Sequence, residues 1–194
     1  MRKFQRVNQP AFLVDRWEAW GVDWERRRSK NPSAKFNWPQ FKGKPLNELL
    51  LPPLKEQTQE HCSFCDSFPV SPPSDDTIEH FRPKSSFPRE ACRWENLYFC
   101  CRHCQRKFEE FDEALLRPDA DDYDFDQYFR WDYTQGTIEI NEHASVENRN
   151  YSASWGARAS RPHPSASRRR NFPLHLNSYG KSKAGGSDHP ALPT

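Results

Sequence analysis

Apolar residues are scarce in this 194-residue chain: they make up 35% of it, and the mean hydropathy is -1.06. Soluble domains usually carry roughly 45–50%. Seventeen prolines point the same way. A core drawn from so little must be small, and a metal staple would help to hold it. No run of about 18 apolar residues occurs, which excludes a membrane-spanning helix and a membrane partner. The opening Met1-Arg2-Lys3-Phe4-Gln5-Arg6 has no apolar stretch behind it. A secretory signal is therefore not expected, and the reading is cytoplasmic. Six cysteines without such a signal imply a reducing compartment and metal ligation, not disulfides. A large charge of one sign is also lacking. The net value of +2 decides nothing about nucleic acid, so the distribution of charge must.

Aromatic residues, by contrast, are abundant at 14%, with seven Trp. Phe12, Leu13, Trp17, Trp20 and Trp24 recur at intervals of three and four, which predicts an amphipathic helix over 10–30. Arg26-Arg27-Arg28-Ser29-Lys30 then reads as a solvated helix end that complements the helix dipole. Leu46, Leu49, Leu50 and Leu54 predict a second helix, with Pro52-Pro53 expected to break or restart it. Residues 66–76 read as a loop. Thr77–Phe81 and Trp94–Phe99 read as short strands, the second carrying Asn96. Arg102–Leu116 reads as a helix with Phe108, Phe111, Leu115 and Leu116 on one face, ended by Pro118. An acidic run follows (Asp119, Asp121, Asp122, Asp124, Asp126). Phe129–Ile140 alternates around Gln135-Gly136 as a hairpin does. From Ser152 periodicity vanishes and Asp188 is the one remaining acid, so 152–194 reads as a disordered basic tail. The organisation is a helical segment over 1–60 packing on a domain at 61–150, then the tail.

Chemistry concentrates in the middle. Cys62-Ser63-Phe64-Cys65 and Cys101-Arg102-His103-Cys104 each place two sulfurs where one tight turn aims both at a tetrahedral ion. The 35 residues between the pairs exceed the usual zinc-ribbon spacing, so something substantial is held in the loop. Cys100-x-x-His103 is also ligand-like, but matched thiols favour Cys101 and Cys104. Cys92 reads as a small buried hydrophobe. Inside the loop lie Glu79-His80 and Asn96-Leu97. An imidazole of near-neutral pKa can take a proton from water. A hard cation on carboxylate oxygen can stabilise charge on a phosphate. Arg82, Lys84, Arg89, Arg93, Arg102, Arg106 and Lys107 surround this segment, as a phosphate-binding surface requires. Lys84 and Lys107 are the best phosphate contacts, with Arg82 and Arg106 beside them. The acidic 109–126 stretch would repel DNA and is placed off that path, towards a partner protein.

Strand, strand and helix, with Glu-His on the first strand and Asn at the second, resemble the HNH or ββα-metal endonucleases over roughly 62–113. The resemblance implies an α+β fold: a zinc-stapled ββα-metal core with N-terminal helices and a C-terminal hairpin. It implies that His80 is the general base, that Glu79 helps to hold a catalytic Mg2+ or Mn2+, and that Asn96 orients the loop carrying the base. The family's helix supplies further ligands, which fall here on Gln105 and Glu109, four apart on one face. Gln105 departs from the family, where His or Asn is usual. Ile78-Glu79-His80-Phe81-Arg82-Pro83-Lys84, then Trp94-Glu95-Asn96-Leu97, Cys101-x-x-Cys104-Gln105 and Leu116-Arg117-Pro118-Asp119 are similar to the HNH proteins of Septu-type and retron-associated phage defence (PtuB-like), over roughly 5–150. That likeness implies DNA hydrolysis in bacterial antiviral defence beside an ABC-type ATPase partner. It also implies a C-terminal helical piece where this chain has its tail, hence a truncated copy. The competing readings are a non-catalytic zinc module that binds nucleic acid and a protein-interaction domain.

Overall fold

In chain order the helices are α1 (Ala11–Val14), α2 (Trp17–Lys30), α3 (Leu46–Gln57) and α4 (Phe125–Tyr128). The strands are β1 (Gln40–Phe41), β2 (Lys44–Pro45), β3 (Asp76–His80), β4 (Leu97–Cys101), β5 (Phe129–Asp132) and β6 (Thr137–Ile140). The structure is a computed structural model and describes residues 2–70, 76–102, 104–105, 111, 115–134 and 137–145. Among the described residues it is a mixed α and β fold with three small antiparallel hairpins, β1–β2, β3–β4 and β5–β6. Among the described residues no helix is long and apolar enough to cross a membrane.

The N-terminal periodicity folds as two helices, not one. The chain turns at Asp15 and Arg16, where Arg16 N donates to Leu13 O. Leu13 and Trp24 are buried, and Trp17 and Trp20 pack at the core's edge. The basic end of α2 is solvated as expected, with Arg26 and Arg27 both reaching Asp23.

The expected break at Pro52-Pro53 does not occur: α3 runs unbroken through both. Each interior proline removes a backbone hydrogen bond and costs about 3 kcal/mol. Leu46, Leu50 and Leu54 recur every fourth residue and are fully buried. At about 1.5–3 kcal/mol for each buried leucine, burial of that face is of the same size as the backbone loss and offsets it. It packs on β3 and β4.

β3 and β4 form the central hairpin, with Ile78 opposite Phe99, Glu79 opposite Tyr98 and His80 opposite Leu97. Every residue of β4 is buried. The second strand differs from expectation in its register. Trp94–Asn96 is a turn of 3-10 helix, and the strand begins at Leu97. Asn96 therefore sits at the strand's entrance with its side chain turned back on the preceding loop. The β5–β6 hairpin forms over the expected span, pairing Phe129 with Ile140 and Trp131 with Ile138. Its Gln135-Gly136 turn and the 152–194 tail lie outside the described residues, as do 103, 106–110 and 112–114 of the expected 102–116 helix. The described residues of that span, Arg102, Cys104, Gln105, Phe111, Leu115 and Leu116, lie in turns or irregular chain and not in a helix.

The acidic run is not one solvated surface. Asp119 is buried at 2% side-chain exposure. It accepts from Arg6 Nε, Tyr98 Oη and Arg117 Nη2. Arg6 also stacks 4.4 Å over the Tyr98 ring and donates to the carbonyls of Trp94, Glu95 and Leu97. One N-terminal arginine thus ties the chain's start to the 3-10 turn, β4 and Asp119. Asp124 caps α4 by accepting from Asp126 N.

Candidate functional site

The two Cys-x-x-Cys turns meet at one end of the central hairpin. In the first, Asp66 N donates to Cys62 O at 3.0 Å, and Asp66 takes a positive φ of 57° to close the turn. In the second, Cys104 N and Gln105 N both donate to Cys101 O. Two bonds lock the turns together: Ser63 N donates to Phe99 O, and Cys101 N donates to Cys62 Sγ at 3.4 Å. All four sulfurs fall within 4.8 Å of one another, and those of Cys65 and Cys101 are 3.7 Å apart. A tetrahedral ion with sulfurs at about 2.3 Å requires neighbouring sulfurs roughly 3.8 Å apart. Cys62, Cys65, Cys101 and Cys104 are therefore positioned to hold a metal ion, consistent with structural zinc.

The charge balance of the thiols fits the same ion. Burial pushes the Cys62 thiol up, but the thiols of Cys101, Cys104 and Cys65 aimed at it outweigh burial and hold it well below its ordinary range. Cys65 and Cys104 are pushed well up, first by their contacts with Cys101. Without a cation the cluster favours a partly protonated set, and four thiolates together call for a dication. Cys100 belongs to another environment: it is fully buried, and Thr77 Oγ1 lies 3.1 Å from its sulfur. Cys92 is likewise buried, and burial pushes its thiol up to about 12. It is the small apolar filler that the sequence implies.

His80 lies at the far end of the same hairpin. Asp76 faces Cys101, and His80 is four residues further along. That is about 13 Å at the usual strand rise, so the cysteine cluster and the imidazole are separate centres. His80 is only 4% exposed. Its Nε2 lies 2.9 Å from Ala91 O. A carbonyl only accepts, so Nε2 carries the proton of the neutral ring, and Nδ1 is the nitrogen that can take one up. Trp38 stacks on the ring at 5.4 Å and 20°, and Phe36 meets it edge-on at 5.6 Å. These residues follow α2 and were not singled out in the sequence, where nothing in their spacing announces them. Trp24 extends the cover, packing on Phe36 and donating from Nε1 to Lys84 O.

Asn96 organises the loop that leaves β3. Its Oδ1 accepts from Arg82 N at 2.7 Å, and its Nδ2 donates to Arg82 O and Glu90 O. At 3% exposure it clamps both ends of the 82–90 segment. Glu79 is buried at 8% beside His80 in sequence, but strand alternation puts the two on opposite faces of the hairpin.

The predicted phosphate contacts divide. Arg82 pairs with Glu90 at 3.0 Å, and the Lys84 ammonium sits 5.5 Å over the Phe36 ring. Arg89 reaches Glu25 of α2, and Arg93 reaches Glu95. Gln105 lies in the second cysteine turn. Arg106, Lys107 and Glu109 lie outside the described residues. No model of a known protein family and no curated protein matches this chain.

Proposed function

We propose that the chain is a metal-dependent endonuclease of HNH type that hydrolyses DNA phosphodiester bonds. What supports this most is the pairing of two features at one hairpin end. His80 is fixed through Nε2 on Ala91 O, and Asn96 clamps the loop that follows it. His80 is assigned the role of general base towards water. Asn96 holds the 82–90 loop in place. Zinc on Cys62, Cys65, Cys101 and Cys104 is structural. A catalytic Mg2+ or Mn2+ on Glu79, Gln105 and Glu109 is not supported by the described residues, because Glu79 faces away from His80 and Gln105 lies in the cysteine turn at the other end of the hairpin, so no step is assigned to it. Lys84, Arg82, Arg106 and Lys107 are assigned to the DNA backbone. Cytoplasmic antiphage defence with an ABC-type ATPase partner is the setting that the sequence likeness implies.

A second reading has its own support. His80 is buried beneath Trp38 and Phe36, and Glu79 faces away from it. A zinc-stabilised nucleic-acid-binding or protein-interaction module would tolerate both. Purified protein incubated with plasmid and with tRNA, in Mg2+, in Mn2+ and in EDTA, separates the two. The nuclease cuts with metal, and His80→Ala lowers the rate by roughly 10²–10⁴-fold with zinc content unchanged. A wild-type chain inert under all conditions favours the module, and a His80→Ala chain as fast as wild type removes the mechanism.

A further inference from the structure

Three arginines from three separate stretches of chain, Arg82, Arg93 and Arg117, line one cleft of about 310 Å3 beside Phe81 and Asn96. Each guanidinium is held by a carboxylate and by an aromatic ring. The carboxylates are Glu90 at 3.0 Å, Glu95 at 3.2 Å and Asp119 at 2.9 Å respectively. The rings are Phe87 at 5.3 Å, Trp17 at 5.8 Å and Phe81 at 5.7 Å. Planar forks fixed in this way lose little freedom when a ligand arrives. Among the described residues, these partners do not exhaust the forks of Arg93 and Arg117. Arg93 uses Nε on Glu95, and its Nη1 and Nη2 have no hydrogen-bond partner among the described residues. Arg117 uses Nε and Nη2 on Tyr98 and Asp119, which leaves Nη1. Glu90 and Glu95 line the cleft as well and oppose an anion; with Asp119 on Arg117 the three arginines meet three carboxylates, and Arg6, which shares Asp119, leaves one net positive charge around the cleft.

We infer that this cleft is a binding site for a phosphoryl oxyanion, read by the guanidinium forks of Arg93 and Arg117 with Arg82. A tetrahedral phosphate accepts bidentate N–H pairs in the geometry that arginine offers, and lysine does not reproduce it. The oxyanion comes either from a terminal phosphate or from a nucleic-acid backbone. Because the site is defined by binding alone, it does not depend on hydrolysis at His80.

Calorimetric titration of the full chain without added divalent metal tests this with three probes. They are inorganic phosphate, a 5′-phosphorylated single-stranded oligonucleotide, and the same oligonucleotide without the 5′-phosphate. Wild type should bind at least one. Arg93→Gln should weaken that binding about ten- to hundredfold, the usual worth of a charged hydrogen-bonding partner. Arg93→Lys should weaken it too, because charge remains but the fork is lost. Arg26→Gln, on the exposed side of α2, should bind as wild type does. A preference for the phosphorylated oligonucleotide identifies a terminal phosphate, and equal binding of the two identifies the backbone diester. Either result supports the site. Wild type that binds none of the probes overturns it, as does unchanged binding by both Arg93 variants. An equal loss in Arg26→Gln also overturns it, because the effect is then one of general charge. A chain that binds through Arg93 but never cleaves would end the nuclease reading and leave this one standing.

Discussion

Two side chains carry more than their size suggests. Asn96 satisfies one backbone N–H and two carbonyls across the 82–90 loop. Asn96→Ala leaves those groups buried without it, at about 1–3 kcal/mol for each unsatisfied group. A marked fall in the urea midpoint is expected, together with faster amide exchange at Arg82; an unchanged midpoint would mean that the loop holds itself. Asp119 is the second case. Burial pushes its carboxyl up, but Arg6 first, and then Arg117 and Tyr98, pull it below its ordinary 3.8. The folded value lies below the unfolded one, so this stabilisation is complete above the ordinary value and is lost as pH falls through the depressed one. Asp119→Ala should cost roughly 3–5 kcal/mol at neutral pH, because Arg6 stays buried without its partner. It should also flatten the acid limb of the stability curve. Acid titrations of the two proteins that run parallel would contradict the assignment.

Elements show what local pattern can and cannot announce. The β3–β4 hairpin, the β5–β6 hairpin and the two cysteine turns were legible because each is written in short-range terms: alternation, a turn, a fixed spacing. The run of α3 through Pro52-Pro53 was not, because its cause is the burial of Leu46, Leu50 and Leu54 against a hairpin far along the chain. The same holds for Arg6 and Asp119, and for Trp38 over His80, whose partners are distant in sequence. The docking of α2 depends on one such contact. A Cβ on Gly21 would lie 2.0 Å from Arg89 O and 2.7 Å from Arg89 C. Alanine normally favours a helix interior over glycine by about 1 kcal/mol. Here Gly21→Ala should instead destabilise by roughly 1–3 kcal/mol, because the obstacle is backbone. It should also loosen the Trp24–Lys84 bond and the aromatic cover on His80, seen as a change in tryptophan fluorescence. A more stable Gly21→Ala protein with an unchanged spectrum would show that α2 is not seated as described.

At the scale of the whole molecule, the central hairpin is gripped at both ends. Asn96 and the Arg6–Asp119 pair hold the His80 end, while the cysteine turns hold the Asp76–Cys101 end and join it to the segment that follows α3. The first grip is built from bonds that re-form after every opening. The second depends on an ion, and metal binding to such a site is folding energy, on the order of 10 kcal/mol in zinc-finger peptides. So small an apolar complement makes this term decisive. Chelation should therefore abolish cooperative melting of the whole chain, not merely fray one turn. Thiol reactivity gives an independent reading. Cys62, Cys65, Cys101 and Cys104 should be protected from a thiol reagent while the metal is bound and react once it is withdrawn. Cys92, with its thiol pushed up to about 12 by burial, should react only as the core opens. Cys104→Ser should reproduce the chelated state without chelator. A metal-free chain that melts cooperatively at the same temperature, with all six thiols still protected, would mean that the apolar core closes this fold without the ion.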